Sequence, residues 1–395
     1  MKIVIYTHYF APSVGGVETY SMLLAEGLAA RTGGGPDAIT VVTKTARGNF
    51  DDSTLPFNVI RQPGTMQLFK LIQGTDLLHV VGPSLAPLCI ALLLRKPFVI
   101  EHHAYQAVCP NGLLLHQPDR TACPDLFMQG QYGQCVKCNA AEVGWLQSFR
   151  MLILAWPRRW LCGKATVNLS ITHHVARRVR LPRSTVVYYG VPDFALEGTN
   201  SRCTETPNHE PVLIVGYLGR LVQEKGIHTL IEAALTLQHE GCGVAVRIIG
   251  DGPERSRLEE MASVQSSTQA ITFTGMLTGA DLRSALDEVD VLALPSLWEE
   301  PAGLVVMEQL MRGLPVIVSD NGGAAELAGD AGLKFPPGDA ASLAERIKQL
   351  TDNPALKDDL GRRARKRALE NFSQRRMVDE HREIFARAIR DSGIR

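Results

Sequence analysis

The stretch PSLWEEPAGLVVMEQLMRGLP, residues 295–315, carries the densest chemical signal in the chain. It follows Val291–Leu294, a short apolar run predicted to be a buried strand, and it enters a helix near Gly303 whose free N–H groups can hold an anion. Glu300 precedes this helix, and Glu308 lies inside it, with seven residues between the two. A carboxylate at Glu308 can accept two hydrogen bonds from a ribose diol. From the spacing alone, the alternative is an ordinary helix with both Glu side chains exposed.

A second segment, GRLVQEKG at residues 219–226, follows a predicted strand at Val212–Leu218 and opens a helix. Arg220 and Lys225 place two cations beside the start of that helix, which suits a pyrophosphate. A solvated basic turn is the alternative. The spacing does not match the Gly-x4-Gly-Lys-Ser/Thr loop, so ATP hydrolysis of that type is not supported.

Two glycine pairs also stand at predicted strand-to-helix turns. Gly250, Asp251 and Gly252 follow one strand, a pattern that is weak by itself because many such turns look alike. Gly15 and Gly16 follow the first strand and allow the backbone to approach a ligand closely at a helix start. Neither matches Gly-x-Gly-x-x-Gly, so a nicotinamide dehydrogenase is disfavoured.

Around these segments, short apolar strands alternate with amphipathic helices in both halves of the chain. The predicted strands are Lys2–Thr7, Ile39–Thr43, Leu77–Val81, Pro97–Glu101, Ala165–Ser170 and Thr185–Tyr189 in the first half, and Val212–Leu218, Val244–Ile249, Ile271–Phe273, Val291–Leu294 and Val316–Ser319 in the second. The alternation predicts an α/β fold of two doubly wound, Rossmann-like domains that face a cleft, with ligands at the carboxyl ends of the strands.

The domain boundaries follow from where this alternation stops. Between the two halves lies a stretch rich in Pro, Gly and Asn, which is typical of a linker. We predict an N-terminal domain at 1–192 with an insert at 104–140, a linker at 193–210, a C-terminal domain at 211–370, and a helix at 371–395 that returns to the N-terminal domain.

The motifs, taken in order, resemble those of the group 1 family of retaining glycosyltransferases, also called family 4, whose members have the GT-B fold. Single motifs are unspecific, but six of them in the family's order are not expected by chance. They read Gly219-Arg220, Glu224-Lys225-Gly226, Gly250-Asp251-Gly252-Pro253, Pro295 to Glu308, Gly313-Leu314-Pro315-Val316 and Gly322-Gly323.

The resemblance implies a nucleotide-sugar donor that binds to the C-terminal domain, with the N-terminal domain on the acceptor side. It assigns the donor pyrophosphate to Arg220 and Lys225, the ribose hydroxyls to Glu308, and the transferred sugar to Glu300. The other donor-binding residues that it implies are Gly303 and Leu304 with their backbone N–H groups, Gly219, Gly250, Asp251 and Gly252 in the turns, and Gly15 and Gly16, which approach the phosphates from the N-terminal domain. The family often has Phe where this chain has Ala302, which affects donor choice.

The resemblance also draws attention to His103, because family members often have a histidine at this strand end that faces the donor sugar. A structural histidine beside His102 is the alternative. In this family the sugar is transferred with retention, and the leaving phosphate is thought to take the acceptor's proton. Catalysis then rests on positioning and on the charges of Arg220 and Lys225. Family members generally need no catalytic metal or other cofactor.

A cysteine-bearing insert follows His103. Cys109, Cys123, Cys135 and Cys138 fall within thirty residues of loop-like sequence, and the last two form a Cys-x-x-Cys pair. In a cytosolic protein these residues either bind a structural zinc or remain free thiols in a folded loop.

The stretch from Val143 to Pro192 is basic and aromatic. It has no acidic residue, and it holds three of the four tryptophans. The aromatic and apolar residues that lie roughly on one helical face are Trp145, Phe149, Leu152, Trp156 and Trp160. Either this face docks on an anionic membrane surface or it packs into the core.

Composition limits the class of protein. Lys plus Arg and Asp plus Glu balance at 41 each, so nucleic acid is not an expected partner. The apolar N-terminal stretch is too short for a signal peptide, and the longest apolar run, Leu85–Leu94, is too short for a membrane span. We therefore expect a cytoplasmic protein, docked on the inner face of the plasma membrane if the aromatic face is interfacial.

The expected function is a hexosyltransferase-type glycosyltransferase of surface or exopolysaccharide synthesis, acting on a glycan or a polyprenyl-linked glycan. Two alternatives share this fold. A nucleotide-sugar 2-epimerase would need acid and base groups in the cleft but no acceptor pocket. A non-catalytic sugar-nucleotide-binding protein would not need Arg220, Lys225, Glu300 and Glu308 together.

Overall fold

The computed structural model describes residues 1–30, 38–193, 212–265 and 270–393. The chain forms two compact units. The first consists of Met1–Asp119, Cys123–Val191 and Asn371–Arg395, and the second consists of Arg120–Ala122 and Pro192–Glu370. Apart from Asp193, the predicted linker at 193–210 lies outside the described residues.

The first unit is built on a seven-stranded sheet with strand order β3-β2-β1-β4-β5-β8-β9. All its neighbouring strands are parallel. The strands are β1 (Lys2–Thr7), β2 (Ala38–Thr43), β3 (Asn58–Arg61), β4 (Leu77–Val81), β5 (Phe98–His102), β8 (Val167–Ser170) and β9 (Ser184–Val186); the short β6 (Leu115–His116) and β7 (Thr121–Ala122) lie in the cysteine insert. Strands β4 and β5 are buried throughout because helices cover both faces of a parallel sheet.

The first unit's helices connect these strands. They are α1 (Gly16–Ala29), α2 (Thr65–Gln73), α3 (Leu85–Leu93), α4 (Tyr132–Val143), α5 (Trp145–Lys164) and α6 (His173–Val179). Cys135 and Cys138 lie in α4, so the second half of the insert is helical, whereas the sequence suggested a loop.

The second unit repeats the architecture with a six-stranded parallel sheet of order β12-β11-β10-β13-β14-β15. Its strands are β10 (Leu213–Leu218), β11 (Val244–Ile249), β12 (Ile271–Gly275), β13 (Val291–Leu294), β14 (Val316–Ser319) and β15 (Gly332–Phe335). Its helices are α7 (Ile227–His239), α8 (Arg255–Gln265), α9 (Gly279–Asp287), α10 (Leu304–Met311), α11 (Gly322–Ala328), α12 (Ala340–Asp352) and α13 (Pro354–Asn371).

The last helix, α14 (Gln374–Asp391), packs against α1 of the first unit. A glycine makes this close approach possible, since a Cβ at Gly27 would lie 2.3 Å from Val378 Cγ2. The two parallel sheets with alternating helices confirm the predicted α/β fold class.

Candidate functional site

In the second unit, the loop of Lys225 meets the loop of Glu300 because the two loops follow neighbouring strands. Lys225 lies in the turn after β10, and Glu300 lies in the loop after β13, which pairs with β10. The Lys225 ammonium donates a hydrogen bond to Glu300 Oε1, and Ser296 Oγ donates a second at 2.9 Å. The Glu300 side chain is 7% exposed. The two predicted donor-binding residues thus form an ion pair in which Glu300 is nearly buried and Lys225 is 22% exposed.

Gly226 allows this approach. Its φ is +65°, and a Cβ there would lie 2.0 Å from the carbonyl oxygen of Pro295. The backbone N–H of Leu297 donates to Glu224 O at 2.9 Å, which fastens the loop after β13 to the turn after β10. A side chain at position 226 would therefore separate Lys225 from Glu300.

Glycine is required at two positions of the Gly250-Asp251-Gly252 turn for a similar steric reason. A Cβ at Gly250 would lie 1.9 Å from Gly219 O, and one at Gly252 would lie 2.4 Å from Leu221 O. The Leu221 N–H donates to Asp251 O at 2.9 Å. The Asp251 carboxylate accepts from Gly252 N and pairs with Arg255 at 3.2 Å, within its own turn. These residues shape the backbone that presents Arg220, whose side chain is exposed.

Helix α10 places the second carboxylate. The helix begins at Leu304 with Gly303 as its N-cap, so the N–H groups of its first turn lie beside the loop that holds Glu300. Glu308 lies one turn further and is part-buried. Burial raises the pKa of Glu308 to about 7, against a smaller opposing effect of Arg312. Such a carboxyl is poised to change its charge when hydrogen-bond donors approach it.

In the first unit, His103 lies just after β5 and is held on two sides. Its Nδ1 is hydrogen-bonded to the Tyr189 hydroxyl, and its ring packs against Tyr20 with a centroid distance of 4.8 Å. The other nitrogen, Nε2, is buried without a hydrogen-bond partner among the described residues. Burial lowers the pKa of His103 to about 4, so the ring is neutral at pH 7.

Behind His103 lies a buried carboxylate that sequence reasoning missed. Glu101 Oε2 accepts from the Tyr20 hydroxyl and lies 3.1 Å from His79 Nε2 and 3.3 Å from His381 Nε2. The side chains of Glu101, His79 and His381 are fully buried. Desolvation alone would raise the pKa of Glu101, but the two histidines hold it well below its usual range. The cluster links α14 to the central strands of the first unit.

A cavity of about 280 Å³ lies at the carboxyl end of the first unit's sheet. It is lined by the ends of β1 and β4, by the start of α1 and by His103. The lining residues are Thr7, His8, Tyr9, Val17, Val81, Gly82, Pro83, Ser84, His103, Gln106 and Arg158. The predicted Gly15 and Gly16 are the N-cap and the first residue of α1, beside Val17.

The four cysteines of the insert are all buried thiols. Burial raises the pKa of Cys109 to about 11 and that of Cys135 to about 12, and the other sulfurs of the group contribute to the shift at Cys135. Within the described ranges, no three of these sulfur atoms lie within 4.8 Å of one another, whereas donor atoms of His79, Glu101 and His381 do. A structural zinc at the cysteines stays a prediction.

Helix α5 exposes its aromatic face. Its inner face is buried through Ser148, Leu152 and Ala155. The exposed apolar residues are Trp145, Leu146, Phe149, Ile153, Trp156 and Trp160. The core interpretation is therefore wrong for the three tryptophans of α5 and for Phe149, although Leu152 of the same stripe is buried. Of the helices that the structure describes, none is both long and apolar enough to cross a membrane.

Comparison with solved structures shows the GT-B fold. The chain is similar to Alr3699/HepE of Anabaena, solved in complex with UDP, with a TM-score of 0.69 and 17% identity over 98% of this chain and 100% of that one. It is also similar to sucrose-phosphate synthase of Thermosynechococcus elongatus, with a TM-score of 0.70 and 20% identity over 99% of both chains.

Sequence comparison finds relatives that this chain matches in part. Alpha-D-kanosaminyltransferase of Streptomyces kanamyceticus is 29% identical over 54% of this chain and 58% of its own length. The lipopolysaccharide core biosynthesis glycosyltransferase LpsE of Rhizobium meliloti is 32% identical over 46% of this chain and 52% of its own. The chain spans about half the length of these relatives.

The family described as "Glycosyl transferases group 1" matches residues 204–367, which hold Arg220, Lys225, Glu300 and Glu308. The predicted resemblance to group 1 glycosyltransferases is thereby confirmed for this segment. Over residues 204–367, the chain is therefore similar to the group 1 glycosyl transferase family.

Proposed function

We propose that the protein is a glycosyltransferase that moves a sugar from a nucleotide-sugar donor to an acceptor hydroxyl. The observation that carries the proposal is the Lys225–Glu300 ion pair at the carboxyl ends of the neighbouring strands β10 and β13. Glu308 lies in α10, the helix that follows the loop of Glu300. Ligands of parallel α/β sheets bind at this end of the strands. Residues 204–367, which match the group 1 family, include Lys225, Glu300 and Glu308.

The donor is bound through complementary charges and hydroxyl acceptors. Arg220 is exposed and takes the pyrophosphate together with Lys225, whose ammonium is already oriented by Glu300. Glu308 accepts hydrogen bonds from the ribose diol, and the N–H of Leu304 at the start of α10 contacts the sugar near Glu300. A uridine nucleotide is the first choice because the similar Anabaena structures hold UDP and UDP-glucose.

The reaction proceeds with retention and without a catalytic metal. The bond between the anomeric carbon and the phosphate oxygen breaks, the leaving phosphate takes the proton of the acceptor hydroxyl, and that hydroxyl oxygen bonds to the anomeric carbon. Lys225 and Arg220 stabilise the charge that develops on the phosphate. His103 is neutral and fixed through Nδ1, so its Nε2 is available to a sugar hydroxyl.

We further propose that the acceptor is a surface glycan or a polyprenyl-linked glycan. The support comes from relatives named for lipopolysaccharide core and colanic acid synthesis. The exposed face of α5 offers a membrane contact, since aromatic residues suit the interfacial region and no acidic residue lies between Val143 and Pro192. The enzyme then works in the cytoplasm at the inner face of the membrane.

Donor turnover measured with and without acceptor tests the proposal. We expect UDP release from UDP-glucose to accelerate when a membrane glycan extract is added, with labelled sugar incorporated as the α-anomer. Lys225→Ala should abolish the transfer, whereas Lys348→Ala, an exposed lysine on α12, should leave it intact. A C2 epimer formed without acceptor would show an epimerase, and nucleotide binding without any turnover would show a non-catalytic protein.

A further inference from the structure

Apart from His103, the hydrogen-bonding side chains that line the cavity of the first unit have no role in the proposed function. It lies where β1, β4 and β5 end, the edge at which parallel sheets bind ligands. Its polar side chains include His8, Ser84, His103, Gln106 and Arg158, and no Asp or Glu is among its lining residues. Glu101, the carboxylate behind His103, is buried and already engaged by Tyr20 and two histidines.

Arg158 gives this cavity its charge. It projects from α5, and its Nη1 lies 3.4 Å from the backbone oxygen of Gln106. Among the described residues, no carboxylate forms an ion pair with it. Arg158 is partly buried, and this burial lowers the pKa of its guanidinium. A desolvated cation without a counter-charge is costly, and a bound anion removes that cost.

Other polar atoms of the cavity also lack a hydrogen-bond partner among the described residues. Gln106 Oε1 and His103 Nε2 are buried without a hydrogen bond among the described residues. His8 Nδ1 lies 3.0 Å from Ser84 Oγ. Burial lowers the pKa of His8, and the nearby cations Lys44 and Arg158 lower it further, which indicates a positive potential in the cavity. A ligand that combines an anionic group with hydroxyls would satisfy these atoms.

We propose that this cavity binds a phosphoryl group of the acceptor, with Arg158 as its counter-ion and Gln106 on a neighbouring sugar hydroxyl. This inference rests on the proposed function, in which Arg220 and Lys225 of the second unit take the donor's phosphates. The position of Arg158 on α5, the helix with the exposed aromatic face, suits an acceptor phosphate that lies near a membrane surface. Trp156 and Trp160 flank it on α5 and are exposed, while Arg158 turns inward.

The same chemistry fits a soluble sugar phosphate and a lipid-borne phosphate, so the test has two arms. In the first, inorganic phosphate and glycerol 3-phosphate are titrated calorimetrically into the full chain. In the second, binding to phosphatidylcholine vesicles is compared with and without phosphatidic acid. Stronger binding in the first arm indicates a soluble acceptor, and an Arg158-dependent gain confined to the second indicates a lipid-linked one.

Phosphate binding by variants of Arg158 tests whether the phosphate binds in the cavity of the first unit. Arg158→Gln should weaken phosphate binding by about 10–100-fold, the loss expected for a charge-assisted hydrogen bond. Arg158→Lys should retain most of the affinity. Arg150→Gln, an exposed arginine on the same helix, and the double variant Arg220→Gln/Lys225→Gln should bind phosphate as the wild type does.

Unchanged phosphate binding by Arg158→Gln, or no binding by the wild type in either arm, would overturn the inference. So would loss of binding in the Arg220→Gln/Lys225→Gln variant, since phosphate would then be occupying the donor site. Nucleotide binding by Arg158→Gln is measured alongside. It should equal that of the wild type, and it also shows that the variant is folded. Failure of the wild type to bind any nucleotide would instead contradict the proposed function.

Discussion

The ionisation of Glu308 should be linked to donor binding. Its pKa of about 7 in the free protein, raised from an ordinary 4.5 by burial, means that about half of the molecules carry a neutral carboxyl at pH 7. Ribose hydroxyls donate to the ionised form more strongly than to the neutral one. Binding of the donor should therefore release a proton and strengthen with pH.

The size of the effect follows from the ionised fraction. That fraction rises from about 10% at pH 6 to about 90% at pH 8, so affinity should increase about tenfold over this range if only the carboxylate binds the diol. The free energy of unfolding of the free protein has the opposite pH dependence and should fall as the pH rises. Because the folded pKa is raised, the proton on Glu308 stabilises the free protein fully below pH 4.5, and this contribution is lost as pH rises through about 7.

Calorimetry with UDP-glucose, whose phosphates do not titrate in this range, provides the assay. Titrations at pH 6, 7 and 8 in two buffers of different ionisation enthalpy give the affinity and the number of protons released. Glu308→Gln should remove both the pH dependence and the proton release, and Glu345→Gln, exposed on α12, should keep them. Equal affinity at pH 6 and pH 8 in the wild type would refute this reasoning, as would a slope that persists in Glu308→Gln.

Three further predictions concern the framework and the membrane face. Gly226→Ala should lower the free energy of unfolding in urea by more than about 2 kcal/mol, because its Cβ meets Pro295 O, whereas Gly241→Ala, at φ +78° in open space, should cost about 1 kcal/mol; equal losses would contradict the steric argument. His381→Ala should cost about 3 kcal/mol by leaving the buried Glu101 short of a partner, and a loss below about 1 kcal/mol would show that this contact is dispensable. Trp160→Glu should reduce flotation with phosphatidylglycerol vesicles at low salt, while Met276→Glu, an exposed apolar residue of the second unit, should not; wild-type protein that stays off the vesicles would contradict membrane docking.

The central strands could be read from the sequence because a buried parallel strand is a continuous apolar run. Leu77–Val81, Val244–Ile249 and Val316–Ser319 were predicted with the bounds that the structure shows. The edge strands β3 and β15 were missed. They are four residues long and only partly buried, so their sequences carry neither a full apolar run nor a clear alternation.

The site divides in a similar way. The order of the motifs predicted that Lys225, Glu300 and Glu308 belong to the site. It did not predict the ion pair between Lys225 and Glu300. Those residues are 75 positions apart and meet only because β10 lies beside β13. The Glu101 cluster had no local signature, since His79 and His381 come from distant elements. For α5, the spacing of aromatic residues fitted a core face as well as a surface face until burial was known.

Nucleotide binding to site variants tests the central claim most directly. Melting temperatures and calorimetric affinities are measured with UDP, GDP and ADP and their glucose conjugates, on the wild type, Lys225→Ala, Glu308→Ala and the control Glu345→Ala. At 100 times the dissociation constant, the cognate ligand should stabilise the wild type and the control by about 2.7 kcal/mol. It should give little or no stabilisation in the other two variants. Equal binding by all four proteins, or binding of no nucleotide by the wild type, would contradict a donor site built from the loops after β10 and β13.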